Sequence, residues 1–118
     1  MVGRKAAKGT GCALGDLFGL LSRAHMMDVL HVALQAKGPL RFVELLEELH
    51  LSPNTLSARL KGLVAAGLLS RTSHDEIPPR VEYAATAKAR ELRAVFDSLD
   101  KWASRNTLAP VATVPRHG

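Results

Sequence analysis

The apolar residues of this chain change period once, and that change restricts the folds open to it. Phe42, Leu45, Leu46 and Leu49 recur at i, i+3, i+4 and i+7, the spacing of one buried helical stripe. Glu44, Glu47 and Glu48 fall off that stripe. After a short connection containing Leu51, a second stripe follows in Leu56, Leu60, Leu63 and Val64. Ser52 can cap this second helix by accepting a backbone N–H bond, and Pro53 suits its first turn, where a missing N–H costs nothing. Gly67 fits the position just past its end. Beyond Gly67 the period shortens. Segments 68–73 and 80–85 carry β-compatible residues and are joined by a connection bearing Pro78 and Pro79. In the second segment Val81, Tyr83 and Ala85 can face inward while Arg80 and Glu82 face out. The expectation is a pair of short helices followed by a two-stranded hairpin.

The flanks add three helices. Leu14, Leu17, Phe18 and Leu21 predict a short first helix. Segment 23–36 predicts a second, with Met27, Leu30, Ala33 and Leu34 as its apolar face, widened by Val29 and Val32. Only Asp28, His31 and Gln35 remain as a polar stripe, so this helix should be central; Gly38-Pro39 ends it. Thr86 can cap a last long helix to about Arg105, with an apolar stripe of Leu92, Val95, Phe96, Leu99 and Trp102. The fold class is therefore mainly α with a small β-hairpin, in the winged helix-turn-helix order. The 118 residues suit one domain. We expect a flexible basic arm over 1–11, the winged domain with terminal dimerisation helices over 12–105, and a flexible tail over 106–118.

Charge points to the partner. The formal net charge is +5, which favours a polyanion. No acidic residue occurs between Glu48 and Asp75, whereas Arg59, Lys61 and Arg71 fall in that stretch. In a helix-turn-helix pair the second helix enters the major groove, and its first turns need small polar side chains and a positive dipole end. Asn54, Thr55 and Ser57 meet that need: Asn can bond adenine through two hydrogen bonds, and Ser can serve any base. Arg59 and Lys61 can reach phosphates or bases. Arg41, Arg71 and Arg80 complete the candidate DNA-binding set, Arg80 beside the Pro78-Pro79 turn with Glu82 pairing as its structural alternative. Double-stranded DNA is the expected partner. Aromatic residues are scarce, which argues against readers of single strands or RNA.

Other chemistries find little support. There is no nucleophile motif, no paired catalytic carboxylates and no Gly-rich phosphate loop, so an enzyme is not expected, nor a cofactor. His25, Asp28 and His31 share one helix, but a polar stripe explains them better than a metal site. Cys12 is the single cysteine, so no internal disulfide can form; it is either an inert thiol or a redox sensor. Gly62, inside the second motif helix, either admits a close neighbour or is merely tolerated. No apolar run is long enough for a membrane span, and the start lacks the apolar stretch of a signal peptide, so the expected location is cytoplasmic without a membrane partner.

The same stretch carries a family resemblance. Ile77-Pro78-Pro79-Arg80-Val81-Glu82-Tyr83, followed by Thr86 and Leu92, is similar to the wing of the HxlR family of winged-helix transcription regulators. Leu51-Ser52, Leu56-Ser57, Arg59-Leu60-Lys61, Leu63 and Gly67-Leu68-Leu69 resemble its recognition helix and following strand. Arg41-Phe42 and Glu44-Leu45 resemble the start of its first motif helix, and Cys12 keeps the family's spacing to Leu30. The resemblance covers about residues 12 to 105. The chain departs from the pattern at Ala13, at Ser22-Arg23-Ala24-His25 and at Ala89. The resemblance implies a DNA-binding transcription regulator, more often a repressor, acting as a homodimer on a palindromic operator, with a small-molecule or redox effector possible through Cys12. Leu17, Phe18, Leu92, Val95, Phe96, Leu99 and Trp102 are the candidate dimer contacts. Two alternatives stand beside this reading: a winged-helix adaptor that binds protein and has lost specific DNA binding, and a nucleic-acid coating protein that uses charge alone.

Overall fold

The computed structural model describes residues 13–109. At its centre lies helix α2 (Met26–Gln35), whose Met26, Val29 and Leu30 are wholly buried. Leu45 of α3 (Phe42–Leu49) and Leu56, Leu60 and Leu63 of α4 (Pro53–Ala65) close on it, each at most 1% exposed. The stripes of α2, α3 and α4 thus meet in one core, with one correction: Met27, expected on the apolar face of α2, is 44% exposed, and Met26 at the start of the helix is buried in its place. Helix α1 (Ala13–Leu21) adds Leu21 to it.

Of the local devices of the helix pair, the sequence predicts the Ser52 cap, the Pro53 start and the Gly67 close; the structure adds two at α3. Glu44 accepts the Arg41 N–H at 2.7 Å and so secures the start of α3. Its end turns through His50, whose φ is 57° and whose N–H reaches the Leu46 carbonyl at 2.8 Å. Ser52 Oγ accepts the Thr55 N–H at 3.1 Å, and Pro53 opens α4. At its far end Leu68 N–H reaches Leu63 C=O at 2.9 Å and Gly67 N–H reaches Val64 C=O at 3.0 Å. Gly67 sits at φ +81°, so this paired closure needs a residue without a Cβ cost.

Strands β2 (Leu69–His74) and β3 (Arg80–Ala85) form the antiparallel hairpin, with Leu69 opposite Ala85 and Arg71 opposite Tyr83. The expected two-stranded hairpin is in fact a three-stranded sheet of order β1-β3-β2. Strand β1 is Leu40–Arg41, which pairs with Tyr83 and Glu82. Two residues are too few to show a period; the strand exists because the chain leaving α2 passes the open edge of β3. Two helix boundaries also differ. Helix α2 begins at Met26 rather than at 23, because His25 holds a left-handed φ of 66°. The last helix is interrupted at Glu91 into α5 (Ala87–Arg90) and α6 (Leu92–Arg105). Thr86 caps α5 through the Ala89 N–H at 3.2 Å and donates to the Gly67 carbonyl at 2.7 Å. That bond anchors α5 to the end of α4, whereas α6 runs over the surface with no fully buried residue.

No single helix among the described residues is long and apolar enough to cross a membrane. Helices α1 and α2 have the apolar length together but meet at 94°, and the apolar side of α2 is spent on the core.

Candidate nucleic-acid interface

The residues of α4 divide into three strips by their angle around the axis. Leu56, Leu60 and Leu63 face the core. Asn54, Ala58, Lys61 and Ala65 form the opposite, exposed strip. Ala58 and Ala65 carry little side chain, so the backbone of α4 can approach a partner closely along this strip. The first turn of α4 has no acidic residue, which leaves its positive dipole end uncompensated. Thr55 is only half exposed, and its hydroxyl accepts from Ser52 Oγ at 2.9 Å.

The two flanks of this strip differ. On one, Arg59 Nε donates to the Ala24 carbonyl at 2.6 Å, so the guanidinium braces the turn between α1 and α2. Gly62 shares that flank: a Cβ there would stand 3.2 Å from Met26 Cε, so the glycine serves the close packing of α4 on α2. On the other flank Ser57, Lys61 and Val64 face the hairpin. They line a cleft of about 430 Å³ together with Ala65, Arg71 and Tyr83.

The hairpin has alternating faces, as its period predicts. Leu69, Arg71, Tyr83 and Ala85 share the face turned toward the helices. Thr72, His74, Arg80 and Glu82 share the other. Arg80 and Glu82 do point away from the helices, but neither is a solvated outward residue. Glu82 Oε1 stands 2.8 Å from His74 Nε2, and Arg80 Nη2 pairs with Glu76 Oε2 at 3.0 Å. Arg80 Nε lies 3.7 Å from Glu82 Oε2, an ionic contact beyond hydrogen-bond reach, and makes no hydrogen bond. The wing arginine is held by two carboxylates. Arg41 stands on this same side, pairing in register with Glu82, and borders a hollow shared with Glu76, Pro78 and Arg80.

The structure therefore brings Ser57, Lys61 and Arg71 to one cleft and leaves Asn54, which shares the exposed strip with Lys61, outside it. It places Arg59 on the α2 flank, and Arg41 and Arg80 on the far side of the sheet. Two residues join the site that the sequence reading passed over. Ala58 shows itself only as an alanine on the exposed strip, and Tyr83 reads as an inward strand residue until Arg71 is found opposite it.

A second surface lies on the terminal helices. Leu14 and Phe18 of α1 and Val95, Leu99 and Trp102 of α6 are 48–59% exposed. Leu17, Leu92 and Phe96 are half-buried against the protein's own core. Cys12 lies outside the described residues. Among those described, no group of three His, Cys, Asp or Glu side chains could hold a metal ion; His25 and Asp28 approach to 3.9 Å.

Residues 21–110 match the model of the HxlR-like helix-turn-helix family. An uncharacterised helix-turn-helix-type transcriptional regulator of Halalkalibacterium halodurans is 39% identical over 69 residues, 58% of this chain and 61% of its own length. One of Synechocystis is 42% identical over 69 residues, 58% of this chain and 51% of its own. The chain thus spans between about half and three-fifths of these two curated relatives. The transcriptional regulator YodB of Bacillus subtilis is 34% identical over 89 residues, 75% of this chain and 78% of its own. The reduced form of YodB superimposes with a TM-score of 0.74 at 32% identity, covering 81% of this chain and 94% of that one. Its diamide-treated and quinone-bound forms match at a TM-score of 0.69 each.

Proposed function

The chain belongs to the HxlR-like helix-turn-helix family, and from that premise we propose that it is a sequence-specific, double-stranded-DNA-binding transcription regulator of the cytoplasm. It acts as a homodimer on a palindromic operator, as a repressor. The observation that carries the reading is the exposed strip of α4: polar at Asn54, small at Ala58, cationic at Lys61, and set in a stretch free of carboxylates from Glu48 to Asp75. Asn54 reads a base edge through its amide, and the dipole end of α4 faces phosphate.

A palindromic operator requires a two-fold protein. Val95, Leu99 and Trp102 on α6, with Leu14 and Phe18 on α1, supply an apolar surface suited to burial in a second copy. Leu17, Leu92 and Phe96 back that surface from the core side. Trp102→Ala shifts the protein toward monomer and weakens operator binding together. A wild-type monomer at micromolar concentration in sedimentation equilibrium rules the homodimer out.

An effector reading follows from YodB, which was captured in diamide-treated and quinone-bound forms. Cys12 is the only thiol of this chain. Under this reading, oxidant or quinone releases DNA from the wild type and leaves Cys12→Ser bound. Equal release of both acquits Cys12.

Selection of bound duplexes from a random pool, read by sequencing at one salt concentration, tests the main proposal. The wild type enriches a two-fold symmetric motif. Asn54→Ala loses preference at one position per half-site, by about 1–3 kcal/mol, while melting normally. Enrichment of no motif overturns the proposal in favour of charge-only coating, and failure to retain any duplex overturns it in favour of a protein-binding adaptor.

A further inference from the structure

Four polar residues line the cleft between α4 and the hairpin: Lys61 and Ser57 from the helix, Arg71 and Tyr83 from the sheet. Among the described residues, none of the four makes a hydrogen bond or ion pair with another side chain of the protein. Two other candidate cations are already occupied, Arg59 by the Ala24 carbonyl and Arg80 by Glu76 and Glu82. The hairpin's carboxylate Glu82 belongs to the opposite face. Val64 and Ala65 give the cleft an apolar wall. Two cations, two hydroxyls and an apolar wall, with no carboxylate, fit a phosphodiester and its flanking deoxyribose.

We propose that this cleft is a single seat for one backbone phosphate of duplex DNA, clamped jointly by Lys61 and Arg71 and completed by the Ser57 and Tyr83 hydroxyls. The inference rests on the DNA-binding reading and deepens it. It changes two assignments. Ser57 is a phosphate ligand and not a base reader, and Tyr83, which lies in the sheet, is part of the DNA surface. The seat fixes the angle between the groove-facing helix and the wing relative to one strand, because its ligands come from both. Phosphate contacts of this kind set register and orientation without reading sequence.

Joint clamping has a signature that separate contacts lack. Two cations on one phosphate are not independent, so their losses are not additive. Lys61→Ala and Arg71→Ala each weaken a selected operator and a scrambled duplex alike, by about tenfold, as expected for a lost charge-assisted hydrogen bond. The double variant loses clearly less than the product of the two. Ser57→Ala and Tyr83→Phe each cost about threefold on both duplexes and leave base preference unchanged. The deciding measurement replaces each operator phosphate in turn with a neutral methylphosphonate. One position per half-site weakens wild-type binding and is silent in the Lys61→Ala/Arg71→Ala protein. Multiplying losses, with no position silenced in the double variant, overturns the seat while leaving DNA binding intact. A change of base preference in Ser57→Ala overturns the assignment of Ser57. A wild type that binds no duplex overturns the functional reading and the seat with it.

Discussion

The two faces of the hairpin follow the same two-residue alternation and carry one arginine each, yet they offer a partner different things. On the face toward the helices, burial fades from Leu69 and Ala85 outward, and Arg71 emerges opposite Tyr83 with no carboxylate beside it. On the far face Arg80 lies between Glu76 and Glu82, and Glu82 also takes His74. Formal charge is equal in the two arginines; available charge is not. An arginine already paired to two carboxylates must exchange those contacts for a phosphate, so its net gain is small, whereas a solvated arginine exchanges only water and counterions. The same contrast separates Lys61 from Arg59 along α4, where one cation stands free on the exposed strip and the other braces the α1–α2 turn.

Substitutions on the two faces should have unequal effects. The largest effect is expected of Arg71→Glu, which both removes a charge-assisted bond and sets a carboxylate against phosphate. Duplex affinity at low salt falls about a hundredfold in fluorescence anisotropy, and a loss below tenfold shows that the inner face is not the electrostatic one. Next comes Glu82→Gln. It loosens the pairing of Arg80 and His74 and removes a negative charge from the wing, so duplex affinity rises about threefold at low salt and the gain disappears as salt is raised. Calorimetry of the same variant finds the fold destabilised by about 1 kcal/mol, the ordinary worth of such a pair. Unchanged affinity means that the far face never approaches DNA.

The smallest effect is a slope. Arg71→Ala lowers the dependence of log affinity on log salt by about one contact, while Arg80→Ala leaves it at the wild-type value. Equal slopes in the two variants erase the distinction between the faces. Gly62→Ala serves as a check that α4 itself is robust. The helix gains about 1 kcal/mol of propensity, the Met26 tip must yield a few tenths of an ångström, and the melting temperature stays close to that of the wild type.

How much of this was legible in the sequence varies with the range of the interaction. Helix α3 occupies Phe42–Leu49, the Ser52 cap and Pro53 start α4, and Gly67 closes it, all as the residues predict. Each of those features is decided within about five residues. Strand β1 was invisible because two residues carry no period. The interruption at Glu91 was invisible because no Gly or Pro marks it: Ala87, Lys88, Ala89, Arg90 and Glu91 are all good helix formers.

Residue pattern alone was enough for the core helices, the hairpin, their order, the acid-free stretch and the family resemblance, because periodicity, caps and turn residues act locally and leave their marks in neighbouring positions. Which cations are free depends on how the elements pack. Arg59 meets a carbonyl from Ala24, Arg80 is enclosed by the carboxylates of its own hairpin, and Arg71 lines one cleft with Ser57 and Lys61, a cleft that exists only once the sheet packs beside α4. A side chain's charge is written in the sequence; whether that charge is already paired depends on what the folded chain brings within about 4 Å of it.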